Sequence, residues 1–314
     1  MVERYFYHAF PRRAPPAESS PRGLAILSSI LQSGLLLTPE LIRFRERLRS
    51  GGASAEAILQ QKRMCFTELC PAEVPLHAAT FGPFALEWEI VTFRQMGGCP
   101  VFYVPLVADA DDLSGLGATI LMRLGDAQTI LERLHELAEA VPRMEPNRLL
   151  NVTKNGDVVA NTRATAGAAA DLLSFLQQGT QPVTAVLDAL RSTLGLFYPT
   201  EDLEYTGLLD YYRQREWRLL ANVVHMGVPA SGELTDGERE ELLGIDYDFF
   251  ARQLHFRLGF ARRVDQCQYV RQWRNSPVFS TVRRVVAPRD AVQTATELVR
   301  MAGWATPVVP LDTL

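Results

Sequence analysis

Apolar and polar positions follow one another along this chain in a definite order of periods. The opening run Tyr5-Phe-Tyr-His-Ala-Phe10 is aromatic at most positions and predicts a strand over residues 4–10. After a proline-rich link from Pro11 to Pro21, Leu24, Ile26, Leu27, Ile30 and Leu31 recur at the spacing of one helix face, and Gly34 supplies the stop. Residues 39–50 and 54–62 are charged and compatible with helix, separated by Gly51-Gly52. Arg63 to Leu69 and Phe84 to Phe93 read as strands, the second alternating Leu86, Trp88 and Ile90 against Glu87 and Glu89. The apolar run Cys99 to Val107, entered through Gly97-Gly98, reads as a buried strand.

From about residue 113 the period changes. Ile120, Leu121, Leu124, Ile130, Leu131, Leu134 and Leu137 mark an amphipathic helix that ends before Pro142. Asn155-Gly156 predicts the turn of a small hairpin over residues 149–160, and further helices are expected near 164–177 and 182–195. β-character returns after Tyr205, in Glu216 to Val224, and Thr235 with Glu238 has the spacing of a capping box. Strand, helix and strand over Thr281–Val286, Pro288–Ala302 and Ala305–Pro310 close the chain. The expected fold is α+β in a single domain, residues 1–314, built on a central mixed or antiparallel sheet with a helical insert at about 113–200.

Composition narrows the classes. With 314 residues, 47% hydrophobic and 22% charged, the chain has enough apolar content for a large core. A formal net charge of -4 provides no overall basic field, so nucleic acid is not favoured as a partner on charge alone. No secretory signal precedes Arg12-Arg13, and no uninterrupted apolar run approaches membrane-spanning length, so a cytoplasmic chain without membrane partners is expected. Walker A, Gly-x-Gly-x-x-Gly, Gly-x-Ser-x-Gly and His-Glu-x-x-His signatures are all missing, which argues against the chemistries they carry.

Four groups of residues carry candidate chemistry. His8 among Tyr5, Phe6, Tyr7 and Phe10 suits a planar ligand or a ribose hydroxyl, and equally a hydrogen-bonded histidine in a core strand. Arg63, with Thr67, Glu68 and His77 downstream, offers a guanidinium for a phosphate, although such residues are also ordinary at a strand end. Cys65, Cys70, His77 and Cys99 are zinc-type ligands at loose spacing, and small buried thiols account for them as well, so no metal is assigned. Glu216, in the run Tyr211 to Arg218, opens an apolar strand, where a carboxylate needs neutralising by Arg215 or Arg218 or else faces a cleft and acts on substrate.

The series Tyr7-His8, Ile26-Leu27, Ile30-Leu31, Gly34-Leu35, Cys65-Phe66-Thr67-Glu68, His77, Phe81-Gly82, Pro100 to Val104 and Glu216-Trp217-Arg218 resembles the abortive-infection family AbiGi, antitoxin-like components of phage-resistance loci. A more distant likeness, from the histidine strand, the helix ending in Ser-Gly-Leu, the aromatic strand and the late glutamate, is to ADP-ribosyltransferase-like folds of the DarT type. The second resemblance implies NAD as the ligand, His8 against its ribose, Glu216 in support of transfer, Tyr103 stacked on nicotinamide and Arg63 at a phosphate. Two functions of different class therefore stand. One is a defence component that binds a protein partner, such as a cognate toxin. The other is an NAD-dependent enzyme that transfers ADP-ribose to a macromolecular substrate.

Overall fold

The computed structural model describes residues 3–12, 14–47, 54–104, 115–154, 157–177, 183–199, 215–220, 231–256 and 259–314. The chain opens with β1 (Tyr5–Phe10), α1 (Pro16–Ser33), β2 (Leu35–Arg47), β3 (Ser54–Leu69), α2 (Val74–Phe81), β4 (Phe84–Trp88), α3 (Ile90–Gln95), β5 (Cys99–Pro100) and β6 (Phe102–Val104). Then come α4 (Gly115–Ala140), β7 (Leu149–Lys154), β8 (Asp157–Thr165), α5 (Ala166–Gln177) and α6 (Val183–Leu194). It returns through β9 (Phe197–Pro199), β10 (Glu216–Leu220), β11 (Ser231–Glu233), α7 (Asp236–Ile245), α8 (Tyr247–Phe250), β12 (Gln253–Phe256) and β13 (Gly259–Arg262). The last elements are β14 (Gln268–Val270), β15 (Gln272–Trp273), β16 (Ser276–Pro277), β17 (Arg284–Ala287), α9 (Val292–Met301) and β18 (Val308–Pro310).

The fold is mixed α+β and divides into two compact units. Residues 1–118 and 195–314 form the first, and Thr119–Leu194 the second. In the second, β7 and β8 pair from Leu149–Thr165 to Lys154–Asp157 around the expected turn, whose Asn155 and Gly156 lie outside the described residues. Val141, Ala166 and Leu173 form its small buried cluster.

One large mixed sheet organises the first unit. Its strand order is β11–β14–β2–β3–β1–β4–β17–β18, with β10 added against β3 and β5. Only β17 and β18 are parallel along this path, as expected from the strand–helix–strand ending. The core is aromatic on one side of β1 and β3: the Phe66 ring lies 4.3 Å from Phe93 and 5.1 Å from Trp88, and Phe6 lies 4.5 Å from Phe93. Burying side chains of this size stabilises the fold by about 1.5–3 kcal/mol each.

Several expected elements differ, each for a tertiary reason. In place of the two charged helices expected at 39–50 and 54–62 stands the long β2–β3 hairpin, paired from Thr38–Arg63 to Arg47–Ser54, while residues 48–53 lie outside the described residues. Strong helix formers yield here to strand pairing, since helix propensity is a weak prior beside tertiary contacts. The strand expected over 84–93 stops at Trp88. Glu89 stays extended while α3 turns Phe93 back into the core. Glu87, which alternates with Leu86 and Trp88 in the sequence, is fully buried between Tyr7, Arg283 and Arg284, with its oxygens 2.5–2.6 Å from their donors. Of the run expected as one buried strand over Cys99–Val107, residues 99–104 are two short strands with Phe102 51% exposed, because β5 and β6 pair with β10 and β9 rather than crossing the core, and residues 105–107 lie outside the described residues.

Two local expectations match in detail. Gly34 ends α1 at φ +106°, and a Cβ there would lie 2.3 Å from the Val270 carbonyl oxygen, so only glycine fits where β2 meets β14. Thr235 caps α7 with Glu238 bonded back to its amide at 2.8 Å. No described helix is long and apolar enough to cross a membrane.

Candidate functional site

β3 is paired along one edge with β2 up to Thr38–Arg63, and again with β1 from Tyr7–Thr67. On the opposite edge β10 runs across the interval without a break, from Glu216–Thr67 to Leu220–Arg63. Among the described residues, 64–66 therefore keep one edge without a strand partner, where β1 and β2 part company. A cavity of about 530 Å³ opens at this parting, and His8, Arg63, Tyr103 and Glu216 all line it.

His8 enters the gap directly. Its Nδ1 lies 2.8 Å from the Cys65 carbonyl oxygen, which can only accept, so Nδ1 carries the proton and Nε2 keeps its lone pair. Burial, opposed by that bond, lowers the imidazole from its ordinary 6.5 to about 4. At neutral pH His8 is thus an uncharged acceptor, steadied by the rings of Phe66 at 5.6 Å and Phe10 at 6.0 Å. His77 stacks on Phe81 at 4.2 Å, and burial, with a smaller contribution from His8, lowers it to about 4 as well.

These two histidines give the protein an acid-sensitive window. Between about pH 6.5 and 4 the unfolded chain takes up protons that folded His8 and His77 refuse, so stability falls as the pH drops. The expected loss is on the order of 2 kcal/mol per histidine, allowing for partial exposure. Urea midpoints measured across that range should fall, and a His8→Asn, His77→Phe variant should show a much smaller slope. A midpoint unchanged from pH 7 to pH 4 would refute the assignment.

Glu216 is the centre of a second group of side chains. Its Oε1 accepts from Arg218 Nε at 2.9 Å and its Oε2 from the Tyr103 hydroxyl at 3.0 Å. Burial alone would raise its pKa, but the Arg218 and Arg63 guanidiniums, with the Cys65 thiol, hold the carboxyl at about 2. Arg218 is fully buried, and its Nη1 also donates to the Gln61 side-chain oxygen at 3.1 Å and the Gly195 carbonyl at 3.0 Å. The same Gln61 oxygen accepts from Arg63 at 3.0 Å, and both guanidiniums lie 5.2 Å from the Tyr198 ring. Arg218 is the neutralising partner; Arg215 pairs with Glu73 at 2.7 Å instead. Tyr211 to Gln214 lie outside the described residues.

Tyr103 is 8% exposed, and its hydroxyl is committed to Glu216. Burial, reinforced by the adjacent carboxylate, raises its phenol pKa. In this arrangement it orients the carboxylate and presents little ring surface for stacking. Arg63 is ion-paired with Glu40, so an incoming phosphate would have to displace an existing carboxylate. The cysteines do not assemble with His77: no described cluster of three or more His, Cys, Asp or Glu is placed to hold a metal. Cys99 Sγ lies 3.5 Å from the Gly97 carbonyl, and burial pushes the Cys65 thiol up to about 11.

No protein-family model, curated protein or solved structure matches the chain. Gln61 and Tyr198 are site residues that sequence reasoning passed over. Gln61, Arg63, Cys65 and Thr67 are spaced by two, so they share a face once β3 is known to begin at Ser54. Tyr198 had no comparable signal, since it reaches the site through the parallel pairing of β9 with β6.

Proposed function

We propose that the chain is an ADP-ribosyltransferase-like enzyme that cleaves NAD in this cavity and passes ADP-ribose to a macromolecular acceptor. Its setting would be the phage defence that the AbiGi resemblance implies. The observation that carries this reading is the lining of one cavity by His8 and Glu216, from strands far apart in sequence and with opposite chemical characters. His8 is a neutral acceptor, suited to a ribose hydroxyl. Glu216 is a carboxylate that stays ionised well into acid.

The low pKa of Glu216 specifies its role. A carboxylate titrating at about 2 is a weak base at neutral pH, so it acts by charge rather than by taking up a proton. As the bond between C1′ and nicotinamide breaks, its electron pair leaves with nicotinamide and positive charge grows on the ribose. The fixed carboxylate opposes that charge, and Arg218 and Tyr103 keep it aimed. An acceptor nucleophile then forms the new bond at C1′ and gives up its proton to water.

Partner binding without catalysis is favoured by a different observation: both Glu216 oxygens already have donors, as they would in a purely structural ion pair. Incubation with NAD separates the two readings. The enzyme releases nicotinamide and adds the mass of ADP-ribose to an acceptor from cell extract, whereas a binding module leaves NAD intact.

A further inference from the structure

The cavity has a second wall, made by α7, α8 and the turn after β13, which no candidate residue anticipated. Two of the cavity's arginines have carboxylate partners. Arg63 is paired with Glu40, and Arg22 lies 3.3 Å from Asp246. Arg263 differs from both. It makes no ion pair with any described residue, and its Nε is buried without a hydrogen-bond partner. The guanidinium carbon sits 4.1 Å from the centre of the Phe249 ring, and Nη1 reaches the Phe249 carbonyl at a long 3.4 Å. Burial, with a further contribution from the charge of Arg252, lowers its pKa, and the charges of Cys267 and Asp246 offset this only in part. The guanidinium is half-buried at the cavity wall, so donors without a protein partner are available to an anion that enters.

We propose that Arg263, backed by Phe249, is the anion subsite of the cavity and binds the phosphate of a nucleotide ligand. Guanidinium donors match phosphate oxygens in pairs, and stacking on Phe249 fixes the guanidinium plane; Nε is enclosed, so the contact falls to the Nη hydrogens. This moves the phosphate contact from Arg63, which is already neutralised, to Arg263. The choice of a nucleotide, rather than free phosphate, rests on the NAD reading above.

Calorimetric titration of ADP, adenosine and inorganic pyrophosphate into the unaltered protein and Arg263→Gln tests the subsite. ADP affinity should fall at least ten-fold in the variant and adenosine affinity should not change. Competition by pyrophosphate alone, with no advantage for ADP, would mark a site for free phosphate species and overturn the nucleotide assignment. Equal ADP affinity in both proteins, or no ADP binding by the unaltered one, would overturn the subsite. Should Arg263→Gln fail to fold, a salt series on the unaltered protein decides: ADP affinity must weaken with ionic strength while adenosine affinity holds. If ADP binding depends on Arg263 but NAD is neither bound nor cleaved, the enzyme reading fails and the subsite stands.

Discussion

Glu216→Gln is expected to lower nicotinamide release from NAD by about 10²–10³-fold, the usual cost of removing one fixed electrostatic contact from a transition state. The substitution keeps the side-chain shape and an oxygen able to accept from Arg218 Nε or the Tyr103 hydroxyl. It removes the negative charge. NAD affinity should change far less than the rate, because positive charge on the ribose develops only as the bond breaks. The activity of the unaltered protein should be flat from about pH 8 to 5, since His8 titrates near 4 and Glu216 near 2. Turnover rates and NAD dissociation constants for the two proteins check this. An equal loss in affinity and rate would mean that Glu216 serves binding or folding alone.

Arg218→Met should be the most destabilising single change near the site, at about 3–5 kcal/mol. Arg218 is fully buried and holds the carboxylate of Glu216, so methionine would leave a charged group without its cation in a poorly solvated place. The Gly195 carbonyl loses this donor at the same time, and the Gln61 side-chain oxygen is left with Arg63. Chemical denaturation measures the loss. The double variant Glu216→Met, Arg218→Met should recover part of it, because removing both charges also removes the cost of burying them. A stable double variant without NAD cleavage would show that the pair is kept for activity. A double variant no more stable than the single one would make the pair structural.

How much of this could be read in the sequence depends on where each signal lay. His8 and Glu216 were legible because a histidine in an aromatic strand and a carboxylate opening an apolar one are conspicuous against their own neighbours. The β2–β3 hairpin was obscured by Glu and Arg in a stretch rich in helix formers, where only the recurrence of arginine at positions 43, 45 and 47 has a period of two. Mistaking β3 for part helix hid Gln61, which belongs to the same face as Arg63. Arg263 could not be found at all from its local sequence. What distinguishes it is the lack of a described carboxylate partner while it lines a cavity, and that depends on how α7, α8 and the turn after β13 pack together.

Whether the opening between β1 and β2 holds NAD is decided by calorimetric titration of NAD into the unaltered protein and Glu216→Gln. Saturable binding at one site is expected in both proteins, with turnover about 10²–10³-fold slower in Glu216→Gln. The absence of any binding heat from the unaltered protein, with no shift of its melting temperature by NAD, would contradict this expectation.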